Sequence, residues 1–289
     1  MLNWLLLMVL VALWGTSFMF NAISVKSVDP VSVVFYRLAL GAIVLSLVVY
    51  ARGDSLPLSW AAWAGFLVMA IAGNALPFFL ITWGQQSVDS GVAGMIMAIM
   101  PLLTMVFAHY LVEGETLNRY KLIGFTLGIT GVILLLGPVF EGGGREFWSG
   151  LAIFTAASCY AVNSILIKRL PRFSPMVGAC SVLIMASLIM FPAWLIIAPQ
   201  NNSISQDSMF AVIWLGIGPT GIATIILFAV IDRAGPTFLS TINYLIPVVA
   251  FLCGAWLLAE PVTWLHILAL VAILGGIAVT RIRVRKALP

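Results

Sequence analysis

Polar and aromatic side chains recur at helical spacing inside runs that are otherwise apolar. Trp14, Ser17 and Asn21 lie at i, i+3 and i+7, one face of a helix. Asn74, Phe78, Ile81 and Gln85 share another face, with Trp83 beside it. Tyr160 and Asn163 are three apart, and Thr220 and Thr224 four apart. Thr241 and Tyr244 share a face that Asn243 borders. Rings of this kind hold the apolar body of a small molecule, while amides and hydroxyls fix its polar ends. The set suits an amphipathic, neutral or zwitterionic ligand. A phosphorylated sugar fits poorly, because Arg37 is the one cation clearly inside an apolar run. The competing reading is that these residues only tie helices together by hydrogen bonds. Either way their polar groups need partners in an apolar medium, so the faces should point inward.

No catalytic constellation accompanies them. There is no Ser–His–Asp set at one depth, no metal-ligand spacing and no phosphate-cradling glycine loop, so neither an enzyme nor a cofactor is implied. Every Asp and Glu falls near the end of an apolar run or in a loop. Glu115 and Glu260 end two such runs in a matching way, and a structural pairing is expected for both. Arg37 is expected to be a structural anchor, a gate or a substrate contact. His109 and His266 lie toward run ends and read as structural, with proton coupling at His109 as the sharper alternative. Cys159, Cys180 and Cys253 read as small packing residues.

The elements that must position these residues follow from composition. Of 289 residues, 62% are hydrophobic and 8% charged, against roughly a quarter charged in a soluble domain. Ten apolar stretches stand at about 4–25, 31–50, 60–83, 92–112, 119–138, 148–168, 176–198, 209–231, 237–258 and 264–281, each near the ~20 residues that a spanning helix needs. They are continuously apolar rather than alternating, which selects helices over a barrel. The first lacks a preceding basic residue and is too long for a signal-peptide core, so it is expected to be retained. With the N-terminus in the cytoplasm, eleven basic residues fall on the cytoplasmic side and two, Lys26 and Arg145, on the other. That bias predicts both termini cytoplasmic. The C-terminal run from Arg281 to Lys286 reads as a topology and lipid-headgroup anchor, not a nucleic-acid site.

The polar break Glu141–Glu146 divides the chain into 1–140 and 147–289, five stretches each. The halves match weakly at an offset of 144–146 residues: Trp14 with Tyr160, Pro30 with Pro175, Pro101 with Pro247, Glu115 with Glu260, Gly131 with Gly276. Five spans per repeat turn the second copy upside down, and inverted repeats with matched helix breaks mark transporters. The matched breaks are Gly73–Pro77 against Ile217–Gly221, and Pro101 against Pro247. Pro77, Pro101, Pro219 and Pro247 are therefore expected hinges.

Taken together these features resemble the EamA family of the drug/metabolite transporter superfamily. The resemblance rests on Trp14-Gly-Thr-Ser-Phe18, on Arg37, and on Pro101-Leu-Leu-Thr with His109, Glu115, Lys121-Leu-Ile-Gly124 and Gly131. Pro247, Glu260 and Gly275-Gly276 repeat it. It implies an all-α polytopic protein of ten helices in two inverted five-helix repeats, exporting small metabolites. The expectation is an exporter of amphipathic solutes such as amino acids, in the bacterial inner membrane, with the lipid bilayer and a small-molecule substrate as partners. The first, third, fourth, sixth, eighth and ninth spans would line the cavity. The fifth and tenth, with Gly124, Gly128, Gly131, Gly275 and Gly276, would pack closely on neighbours or on another protomer, leaving a homodimer open. A multidrug exporter, a membrane enzyme acting on a lipid or isoprenoid, and a non-transporting sensor or assembly factor are the alternatives.

Overall fold

The computed structural model describes residues 1–137, 144–167, 173–198 and 203–282. The linker residues 141–143, the basic residues Lys168, Arg169 and Arg172, and the run from Arg283 to Lys286 lie outside the described residues. Among the described residues the chain is helical and has no strand. Eight helices are long and apolar enough to cross a membrane: α1 (Leu2–Ser24), α2 (Pro30–Ala51), α3 (Trp60–Gly84), α4 (Ser90–Leu111), α5 (Arg119–Leu136), α6 (Gly144–Leu166), α7 (Pro175–Ile197) and α8 (Gln206–Leu239). Two further apolar helices are shorter, α9 (Ile242–Leu257) with 16 residues and α10 (Trp264–Thr280) with 17.

Several helix starts are set by local chemistry. Ser32 N donates to Asp29 Oδ1 at 2.9 Å ahead of α2, with Pro30 in the first turn. Asn118 accepts from Lys121 N at 2.9 Å to start α5, and Ser205 from Ser208 N at 3.2 Å to start α8. Thr263 and His266 form a reciprocal capping pair at α10. The eighth and ninth stretches part at Gly235, whose φ of 82° and ψ of 165° are not helical, so α8 holds two helical pieces across a kink. Only glycine adopts that conformation readily, and the proline that follows cannot donate to the preceding turn. A short helical piece at 236–239 follows the kink, near the expected start at about 237, and α9 begins at Ile242 after a turn.

The two halves of the chain interleave. α2 packs on α7, α3 on α6, α1 and the start of α4 on α9, and α5 on α10. The α5–α10 contact is backbone to backbone: a Cβ on Gly124 would strike the Gly276 carbonyl, and one on Gly131 would lie 2.6 Å from Ile273. Gly128 lies against Gly276 and also faces Leu102 and Ile99, whereas Gly275 has nothing within 4 Å. The surface is apolar, with Ile43, Leu47, Leu188, Leu195 and Val271 exposed. Exposed Trp4, Trp60, Trp256 and Trp264 sit at or near helix ends. An apolar belt with tryptophans toward its rims is the surface a bilayer requires; in water it would aggregate.

Candidate functional site

The site begins with prolines that cannot donate. α3 carries a π-turn at Ile71–Ala75 just before Pro77, and α8 carries one at Gly216–Ile222 around Pro219. Such turns loosen a helix where a donor is missing. In α8 the released groups find new partners. Thr220 Oγ1 donates to the Leu215 carbonyl at 2.8 Å. The Pro219 carbonyl accepts from Trp14 Nε1 at 2.9 Å. The Thr220 hydroxyl in turn accepts from Arg37 Nε at 3.0 Å. α4 breaks at Ala98–Ile99, and Pro101 opens the second piece. Pro247 lies inside α9 without interrupting it.

These breaks surround one cavity of about 440 Å³, within the usual ~300–1,000 Å³ of small-molecule sites. Its wall draws on α1, α2, α3, α4, α6, α7, α8 and α9. Eight of the expected binding residues line it: Trp14, Ser17, Asn21, Asn74, Phe78, Tyr160, Asn163 and Thr224. Pro101, Pro219, Pro247 and Arg37 line it as well. The Arg37 guanidinium lies over the Phe78 ring, 4.0 Å from its centroid, and Tyr160 meets Phe78 edge-on at 6.4 Å.

Hydrogen bonding divides these residues into two groups. The first is committed to the protein. Ser17 Oγ donates to the Trp14 carbonyl at 2.7 Å and Thr224 Oγ1 to the Thr220 carbonyl at 2.6 Å. Asn21 Nδ2 donates to Gln85 Oε1 at 2.8 Å, Thr82 Oγ1 donates to Asn21 Oδ1 at 3.1 Å, and Gln85 Nε2 donates to the Phe18 carbonyl at 2.9 Å. That buried network ties α1 to α3, so Asn21 acts first as a helix tie. The second group is open. Among the described residues the side chains of Asn74, Asn243 and Tyr160 make no hydrogen bond to protein. Asn163 Oδ1 is buried without a partner, its amide pressed against Gly73, where a Cβ would collide with it.

Four expected residues lie outside the wall. Trp83 is half-buried on a neighbouring face of α3, and Pro77 is buried just past the π-turn. Thr241 sits at the turn before α9. Tyr244 faces another way: Arg281 lies over its ring at 4.9 Å, and its ring packs against the core around α4, α5 and α6. The wall uses Ile242, Asn243, Ile246 and Pro247 instead. The spacing of Asn243 to Pro247, four residues, is the signal that would have found this face. Phe18, Met97 and Met100 also line the cavity. Arg281 donates to the Ser240 carbonyl and hydroxyl at 3.2 and 2.9 Å, so it holds the turn before α9.

The glutamates do not play matching parts. Glu260, half-buried, accepts from Ser90 N at 2.7 Å and from Gly91 N at 2.9 Å, capping α4 from 170 residues away. Glu115 is exposed and lies 3.7 Å from Lys121 Nζ. Arg37 forms no ion pair among the described residues. His109 Nδ1 donates to the Glu115 carbonyl at 2.8 Å. At the Glu260 end, burial first and the charge of Glu260 second push the Asp89 carboxyl above the usual carboxylate range, while His266 opposes them.

The EamA-like transporter family model matches residues 2–137 and 147–282. The chain is 26% identical to the "uncharacterized inner membrane transporter YedA" of Escherichia coli K12 over 272 residues, 91% of this chain and 85% of that one. It is 21% identical to the "uncharacterized transporter YoaV" of Bacillus subtilis, covering 92% and 91%. It is 23% identical to the "probable amino-acid metabolite efflux pump" of Salmonella typhimurium, covering 97% and 96%. A protein of known crystal structure superposes with a TM-score of 0.71 at 22% identity over 98% of each chain, which speaks to the fold alone.

Proposed function

The chain belongs to the EamA-like transporter family, and from that premise we propose that it exports small amphipathic metabolites, amino acids foremost, by alternating access. In this reading residues 1–140 and 147–289 form inverted five-helix repeats with both termini cytoplasmic. The proline-marked breaks act as hinges, and the residues of the central cavity contact the substrate. The observation that carries it is the junction of two π-turns, at Ile71–Ala75 and Gly216–Ile222, on one cavity lined from both halves. Loosened helices from opposed repeats, meeting at a shared pocket, allow that pocket to be exposed to either side in turn. The relative named as an amino-acid metabolite efflux pump supports the substrate class.

A multidrug exporter is the second reading, favoured by Met97 and Met100 in the wall, whose flexible side chains repack around varied apolar ligands. Counterflow of labelled amino acids in proteoliposomes, run beside a drug panel, tests both. Saturable amino-acid exchange is expected, lowered ~10-fold or more by Trp14→Ala or Asn74→Ala, about the cost of one lost contact of ~1.4 kcal/mol. The proposal fails if no amino acid and no wider metabolite moves and those two variants leave a cellular phenotype unchanged.

A further inference from the structure

We infer that Arg37 is the receptor for a carboxylate on the transported solute, so that the cavity selects amphipathic acids and zwitterions over amines that lack the acid group. The inference rests on the transporter reading above and deepens it.

The guanidinium is buried, with Arg37 8% exposed. Two contacts fix where it sits and how its plane is turned. Nε donates to Thr220 Oγ1, which is itself held by the Leu215 carbonyl that Pro219 cannot engage. One face of the plane rests on Phe78 at 4.0 Å. Among the described residues no carboxylate pairs with Arg37, and Nη1 and Nη2 have no hydrogen bond to protein, while the side chain lines the cavity. Two terminal nitrogens of a rigid planar fork, aimed by the rest of the group and left without an acceptor, have the geometry that takes a carboxylate bidentately.

The charge balance points the same way. Among the described residues Arg37 is the single charged one in the cavity wall. A cation held in a low-dielectric cavity without a counter-charge is costly, and an entering carboxylate offsets that cost. The same field disfavours a solute whose only charge is positive. Trp14, Phe18 and Tyr160 supply rings for an apolar body, and the uncommitted amides of Asn74 and Asn243 offer acceptor oxygens to an ammonium. A role limited to tying α2 to α8 is already fulfilled by the Nε–Thr220 bond and leaves the open fork without a purpose.

L-phenylalanine, 3-phenylpropionate and 2-phenylethylamine share a ring and differ in their charged groups, and they make the probe set. Calorimetric binding to the purified full-length protein should favour the two acids over the amine by roughly 10- to 100-fold, the range of a charge-assisted hydrogen-bonded pair. In Arg37→Gln that preference should vanish, whereas a merely structural arginine would weaken all three ligands and keep the preference. The wild-type ratio needs no variant, so a misfolded Arg37→Gln does not remove the test. If the amine binds the wild type as tightly as the acids, the inference is overturned, and proteoliposome exchange of any of the three leaves the transporter reading standing. If none binds and none moves, the inference and the amino-acid reading fall together.

Discussion

The two ends of α4 carry glutamates from matching places in the two halves, and the molecule uses them in opposite ways. At its start Glu260 reaches in and takes both the Ser90 and Gly91 amides. Just past its end Glu115 stays exposed beside Lys121. Room explains part of the difference. Six residues before Glu260 stands Gly254, where a Cβ would overlap the carboxylate; six residues before Glu115 stands His109, whose ring instead meets the Glu115 carbonyl. Donors explain the rest. The helix start that would answer Glu115 carries Gly235-Pro236, and a proline has no amide hydrogen to offer. α4 thus has a charged cap on its N-terminus at one end and a surface ion pair beyond the other.

The largest expected effect separates the two glutamates directly. Glu260→Ala strands two amides at a helix start, and charge-assisted bonds of this kind are worth ~2–4 kcal/mol together. Glu115→Ala should change stability by less than ~0.5 kcal/mol, as for other exposed pairs. Unfolding in detergent measures both, and equal losses would break the comparison. Next in size is Gly254→Ala, which should push the Glu260 carboxylate off its donors and cost ~1–2 kcal/mol. His109→Ala, at the corresponding place, should cost far less. If Gly254→Ala were neutral, close packing at that glycine would not be what admits the cap.

How far these features could be read from sequence depended on what fixed them. The run Asn74, Phe78, Ile81 and Gln85 was legible because a 3.6-residue period defines a face by itself, and all four residues line the cavity. The breaks near Pro77, Pro101 and Pro219 were legible because a missing amide hydrogen weakens a helix locally, although α9 runs through Pro247 unbroken. The face of α9 was not. A membrane helix is apolar all round, so its pattern does not say which side faces inward. Polarity pointed to Tyr244, yet the turn after Gly235 set the rotation, and the wall took Asn243 and Pro247. The division between committed and open side chains was also hidden. Asn21 and Asn74 are the same residue type on the same kind of face, but only Asn21 has Gln85 and Thr82 across from it. That depends on which helices become neighbours, which spacing within one helix does not encode. A structural pairing of Glu260 was legible, but the helix start that it caps, 170 residues away, was not, for the same reason.

The smallest expected effect tests whether Glu260 is the working cap of α4. Asp89 occupies the N-cap position but its side chain makes no capping bond. Burial and the nearby charge of Glu260 hold its carboxyl above the normal value of 3.8. A carboxyl raised in this way keeps its proton in the fold at a pH where the unfolded chain has lost it, so its ionisation opposes folding. Stability tied to Asp89 should therefore be greatest below pH 3.8, fall as pH rises through the raised value, and stay lower at neutral pH. Asp89→Asn should then raise the melting temperature slightly at neutral pH, and the gain should fade as the pH drops below 3.8. Combining it with Glu260→Gln should shrink the gain, because the second cause of the shift is gone. A loss of stability in Asp89→Asn at neutral pH would mean that the Asp89 charge serves the helix start itself. Glu260 would then share the cap with its neighbour, and the contrast between the two ends of α4 would rest on two acids at one end rather than one.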